Sequence, residues 1–384
     1  MKTKSLFVVA AIAVTFLAAC SDSSDSLPEA NEHSVFLKLG NVQTKASTTR
    51  GDEAPLTNSN AVTLTDGYIY FVTDQDGIKA VYKITSTEST DINNKVIKLS
   101  DLEAGYKFTN VSGEVTSVYI VGNPNLGDNE DATMRSFTTL KALRAGVNVS
   151  ISNQSNVNDL TIDGIGIVKT ASATDLEVDA SAVAEGDKEA IITLMPLCAR
   201  IEIPNITAGG TVSAYTLQGI YVNHFYKQMP LNSVANSADL VSEQALSNFD
   251  SSVTTSLYHT YPGMCDDNAT SLGIKDALVT TPTTASNVWA YQCFAAGAPR
   301  IILKLTGVTA GAGTFTGTQF LNIRGFLNAG GTEITNLEKG NVYRITGLVF
   351  NEGHLSQVPD PEDINLWVQV SVTPWTINTV TPEM

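Results

Sequence analysis

Positive charge is scarce in this sequence: 23 lysines and arginines stand against 39 aspartates and glutamates, a net charge of −16 over 384 residues. A surface so acidic repels phosphate backbones, which excludes nucleic acid as a partner. Cysteine is scarcer still. Cys20, Cys198, Cys265 and Cys293 have no CxxC spacing, so they make no zinc site. If a disulfide forms, Cys265 with Cys293 is the pair it would join; buried single thiols are the other reading. The four histidines, His33, His224, His259 and His354, lie far apart, and HExxH, GxSxG and a glycine-rich phosphate loop are missing. No catalytic constellation follows, and no enzyme activity, cofactor or metal is expected. No repeat of fixed period is visible. Long apolar runs are also missing, apart from one at the N-terminus.

That run extends from Leu6 to Ala19 behind Lys2 and Lys4, the charged-then-apolar layout of a secretory signal. Crossing about 30 Å of hydrocarbon takes roughly 20 apolar residues, so it is too short to span a bilayer. It ends in Leu17-Ala18-Ala19-Cys20, which resembles the lipobox of bacterial lipoproteins, in which a peptidase cuts before the cysteine and its sulfur carries diacylglycerol. The expected division is a signal peptide over 1–19 and a lipidated propeptide over 20–50. The polar SDSSDSLPEANE after Cys20 cannot bury enough surface to fold and reads as a tether. Its acidic residues resemble the export tags of Bacteroidetes lipoproteins bound for the outer leaflet.

Beyond residue 50, period-two alternation and turn residues predict a mainly β chain with few short helices. Tyr68 to Val72, a Gly77-containing turn, and Ala80 to Ile84 form a hairpin. Val115 to Val121 reads as a buried strand, and Met134 to Ala145 has helical spacing. A polar stretch from Thr174 to Lys188 sets the domain boundary near 190, giving domains over 51–190 and 191–384. Strands in the second are expected at 197–203, 215–225, 299–305, 319–326 and 341–350.

Three local clusters have two readings each. Asp128, Glu130 and Asp131 among Asn123, Asn125 and Asn129 lack the EF-hand order and read as a solvated turn rather than a calcium loop. His259 between Tyr258 and Tyr261 reads as filler. Trp289 and Tyr291 either pack against a neighbouring sheet or stack on a sugar ring.

The C-terminal segment is the most regular. Ile364, Leu366, Val368, Val370 and Val372 alternate with polar residues and Trp367, placing five aliphatics on one face of a strand roughly 30 Å long. Pro374 interrupts the pairing, and Trp375 opens a shorter apolar series. Near the other end, Val35, Leu37 and Leu39 also alternate, with a slip at Gly40 and Asn41.

In order, the lipobox, the early strand before Arg50, VYIVGN, TLKAL, LCARIEI, NVYRITG and the closing VQVSVTPW resemble the fimbrillins of the Bacteroidales, the type V pilins. The resemblance implies two tandem transthyretin-like β-sandwich domains and a lipoprotein precursor carried to the outer membrane. An arginine-specific or trypsin-like protease would cut between Arg50 and Gly51, removing the strand of Val35, Leu37 and Leu39. The groove left behind would accept a donor strand over 364–377, including Trp375, from the next subunit. The product is an adhesive surface fimbrium built head to tail from fimbrial subunits. Physically, the donor repairs unpaired backbone groups and an apolar trough together. Five aliphatics at about 1.5–3 kcal/mol each give on the order of 10 kcal/mol before entropy costs. A head-to-tail contact that does not close makes a filament. Within this class the chain could also be an anchor or tip subunit. Outside it, the alternative is a monomeric outer-membrane glycan-binding lipoprotein.

Overall fold

Every residue of Gly67–Thr73 is buried, and this strand turns through Asp76, at φ 67°, into Ile78–Thr85, with Tyr70 opposite Val81. The computed structural model that shows this hairpin describes residues 32–40, 62, 64–155, 160–269, 271–276, 278–284, 286–311 and 313–374. Cys20, Arg50, Gly51 and Trp375 lie outside the described residues.

Val115–Gly122 pairs antiparallel with the other edge of Gly67–Thr73, and Ile162–Ile167 pairs beyond it. With Val96–Lys98 and Met195–Pro196 at the ends, these strands make a six-stranded sheet. A second, four-stranded sheet runs in the order 106–111, 33–40, 188–193, 169–170. The two approach closely at Gly164 and Gly166, where a Cβ would strike the backbone carbonyls of Thr193 and Ile191. Two glycines one period apart therefore let Lys188–Thr193 lie against Ile162–Ile167.

The helix expected over Met134 to Ala145 is two helices, Glu130–Arg135 and Leu140–Gly146. The reason lies in Thr139, whose hydroxyl accepts from Ala142 N at 3.2 Å and caps the second helix in extended backbone. Glu130 and Asp131 fall in the first turn of the earlier helix, with Asp131 bonded to Arg135 Nε at 2.8 Å.

The polar stretch before 190 is no linker. It holds the short helix Ala173–Leu176 and feeds Lys188–Thr193, which belongs to the N-terminal sheet. The hand-over between the two sets of sheets therefore falls at Pro196 and Cys198.

The second set is led by a path in the order 265–266, 212–223, 300–310, 319–327, 366–374, 341–345, 198–203, 289–294. The expected strand over 341–350 breaks after Ile345, and Val349–Phe350 pairs separately with Thr207 and Ala208. Within Cys198–Ile203 every side chain is buried, including Arg200 and Glu202. Glu202 accepts from Arg200 Nε at 2.9 Å and Arg344 Nε at 2.7 Å, so the buried charges satisfy one another. The two sets are joined by Asn148–Ser150 paired with Gln228–Pro230, and by Lys339 on Asp163 at 2.7 Å. The fold is all-β, and the helices among the described residues are short.

Candidate functional site

Two strands at opposite ends of the sequence carry the expectations made above, and their surroundings differ. His33–Gly40 occupies the middle of the four-stranded sheet. On one side it runs parallel to Lys188–Thr193, Val35 opposite Lys188 through Gly40 opposite Thr193. On the other it runs antiparallel to Tyr106–Val111, with Leu37 opposite Tyr106 and a register shift near His33. Val35 and Leu37 are fully buried and Leu39 is 8% exposed, so alternation sends these three into the core beside Phe108, Ala190 and Ile192.

Among the described residues, Tyr106–Val111 has no ladder partner other than His33–Gly40, and Lys188–Thr193 has only the two-residue ladder to Lys169–Thr170 besides. Taking the early strand out would strip one neighbour of all its sheet pairing. It would also expose at least three apolar pockets worth about 1.5–3 kcal/mol each, a loss comparable to the roughly 5–15 kcal/mol that holds a domain folded.

The outer face is built just as specifically. Register places Lys107, Phe36, Glu189 and Lys169 in one row across four strands. Lys107 Nζ sits 4.8 Å from the centroid of the Phe36 ring, a cation–π contact, and 2.7 Å from Asp187. Burial pushes the Asp187 carboxyl up, but the bonds from Lys107 and from Ala184 N outweigh it and hold the group below its usual range. Glu189, fully buried, lies 2.9 Å from Lys169 Nζ and accepts from Ser172 N at 2.8 Å. Next along the strand, Lys38 Nζ donates to Leu176 O at 3.1 Å and to Glu177 at 2.8 Å.

The C-terminal strand is Leu366–Pro374, beginning two residues later than Ile364. Leu366 to Gln369 pair parallel with Ile323 to Leu327; Val370 to Pro374 pair antiparallel with Asn341 to Ile345. The ladder thus changes sides at Gln369. Val368 and Val370 are buried, while Val372 on the same face is 42% exposed, so the five-residue apolar face is only partly covered; Trp367, on the opposite face, is 39% exposed. Trp367 lies across Gly325, where a side chain would collide with the indole. Just ahead of the strand, the buried Asp360 accepts from Arg300 Nη1 at 2.6 Å and Asn322 Nδ2 at 2.7 Å, and lies 2.9 Å from His224 Nε2.

Other sequence candidates separate cleanly. Trp289 and Tyr291 are fully buried, with the indole N–H on Ser271 O and the phenol on Asp266, which removes them as a sugar-stacking platform. Cys198, Cys265 and Cys293 are buried thiols that form no disulfide, so no Cys265–Cys293 bridge is present. Burial pushes the Cys293 thiol up to about 12. No described helix is long and apolar enough to cross a membrane.

No protein-family model matches the chain, and no curated protein matches it. Solved structures do. A candidate cell adhesion protein from Bacteroides eggerthii superposes with a TM-score of 0.53 at 18% identity, covering 90% of this chain and 96% of that one. A second, from Parabacteroides distasonis, gives 0.50 at 14% identity over 92% and 99%. A fimbrilin from Porphyromonas gingivalis gives 0.48 at 13% over 90% and 98%. The chain shares the fold of the first two along nearly its whole length.

Proposed function

We propose that this chain is a structural subunit of an adhesive surface fimbrium, exported as a lipoprotein through Cys20 and polymerised by strand exchange. Cleavage between Arg50 and Gly51 frees the early strand, and the C-terminal strand of another subunit takes its place. The carrying observation is that His33–Gly40 is the central strand of its sheet and the sole described ladder partner of Tyr106–Val111. A strand joined to the rest of the chain through one arginine-bearing segment is removable by a single cut, and what it leaves is an acceptor for any alternating apolar strand. The likeness of fold to candidate cell adhesion proteins supports the same reading.

Two measurements test it. Arg50→Ala leaves full-length lipoprotein on the membrane and abolishes SDS-resistant ladders; unchanged polymer removes Arg50 from the mechanism. N-terminal sequencing of the surface form finds Gly51 for a polymerised subunit, whereas a blocked Cys20 assigns the chain to an anchor that keeps its lipid.

A further inference from the structure

On the reading just given, one question is which residues of the incoming strand fill which positions. The early strand reads Val35-Phe36-Leu37-Lys38-Leu39-Gly40 and the C-terminal strand Leu366-Trp367-Val368-Gln369-Val370-Ser371. The two match position by position: aliphatic, aromatic, aliphatic, polar donor, aliphatic, small. We infer that the C-terminal strand of a second copy enters the groove in this register and direction, with Trp367 beneath Lys107 where Phe36 sits.

Each slot has a physical demand that the match meets. Leu366, Val368 and Val370 replace the three inward side chains Val35, Leu37 and Leu39. Trp367 presents a larger aromatic face to the Lys107 ammonium, which stands 4.8 Å from the ring it replaces. Gln369 offers an amide donor where Lys38 donates to Leu176 O. Ser371 takes the place of Gly40, where a Cβ meets Ile192 O and Thr193 Oγ1 at an ordinary contact distance of 3.4 Å, so a serine fits.

The competing placements fail at one slot each. Sliding the donor by two residues keeps three aliphatics inward, as Val368, Val370 and Val372, but puts Gln369 under Lys107, where the ammonium faces an aromatic ring. Reversing the strand keeps Trp367 under Lys107, with Val368, Leu366 and Ile364 inward, but sets the Asp363 carboxylate against the Ile192 carbonyl oxygen.

The exchange also has a direction. At home the C-terminal strand pairs on one side at a time, changing over at Gln369. The strands it would leave keep other partners: Gln319–Leu327 keeps Arg300–Ala310, and Asn341–Ile345 keeps Cys198–Ile203. In the groove it pairs on both sides and supplies Tyr106–Val111 with a partner it otherwise lacks.

Cysteine pairs in the full-length chain, oxidised after processing, test the register. Lys107→Cys with Trp367→Cys, and Ile191→Cys with Gln369→Cys, are expected to give ladders that survive boiling and collapse on adding reductant; the native thiols at 198, 265 and 293 are buried. Ladders from Lys107→Cys with Gln369→Cys overturn the register in favour of the slipped placement. Ladders from Ile191→Cys with Asn365→Cys overturn the direction. If no pair cross-links although the unsubstituted chain polymerises and truncation after Asp363 stops it, the strand is a donor in some other register and the inference fails. If polymer survives that truncation, the strand-exchange reading itself has failed.

Discussion

Leu37→Ala should act on the precursor and leave the polymer untouched. Leu37 is fully buried in the central strand of its sheet, opposite Tyr106 on one side and Ala190 on the other. Truncating such a leucine removes its transfer free energy and leaves a cavity, at a cost of about 2–5 kcal/mol. With a urea dependence of about 3 kcal/mol per molar, the unfolding midpoint falls by about 1 M. The assay is urea unfolding of uncut chain followed by circular dichroism, with Arg50→Ala in both samples so that the early strand stays attached. On the proposed mechanism, processed filaments have lost the substituted strand. The temperature at which ladders dissociate in SDS should then be the same with and without Leu37→Ala. A polymer weakened as much as the precursor would refute the reasoning, because the early strand would still be in place.

Truncation after Asp363 removes Val368 and Val370 from the chain's own sheet as well as the donor, so a drop in melting temperature should accompany the loss of ladders; unchanged melting would mean the C-terminal strand contributes nothing at home. Burial pushes the Asp360 carboxyl up, but bonds from His224 and Arg300 and the arginine charge outweigh it and hold the group below its usual range. A folded pKa below the unfolded value of about 3.9 means this pairing stabilises the fold above that pH. That contribution drains away as pH falls through the folded value, so acid unfolding should be less steep in Asp360→Asn. Gly164→Ala forces a methyl against the Thr193 carbonyl and should cost about 1–3 kcal/mol in urea unfolding, with Ile165→Ala on the exposed face as the near-neutral control.

Alternation carried most of the fold. The hairpin at Gly67–Thr73, the buried strand Val115–Gly122 and the strand Cys198–Ile203 were all readable, because period-two burial is a local property. The split helix was not, since a run such as MRSFTTLKALRA keeps helical spacing across a cap and only the Thr139 hydroxyl reveals the break. The sheet to which Lys188–Thr193 belongs was hidden for a different reason. Lys188–Thr193 looks like the start of a new series in sequence, but a parallel partner carries no local mark, and its pairing with Val35 to Gly40 spans some 150 residues. Of the candidate site, the inward faces of both terminal strands were legible; Lys107 over Phe36, the Asp360 cluster and the changeover at Gln369 were not, because each joins residues far apart in the chain.

A strand held between two neighbours has a mechanical consequence. The ladders along His33–Gly40 run from Val35 to Gly40 on one side and from His33 to Leu37 on the other, with their hydrogen bonds lying across the strand. A pull along such a strand loads those bonds together in shear, whereas a strand peeled from an edge surrenders them one by one. A subunit seated in that position would resist the drag of flowing liquid in proportion to the number of bonds engaged, and would let go only when all of them failed at once.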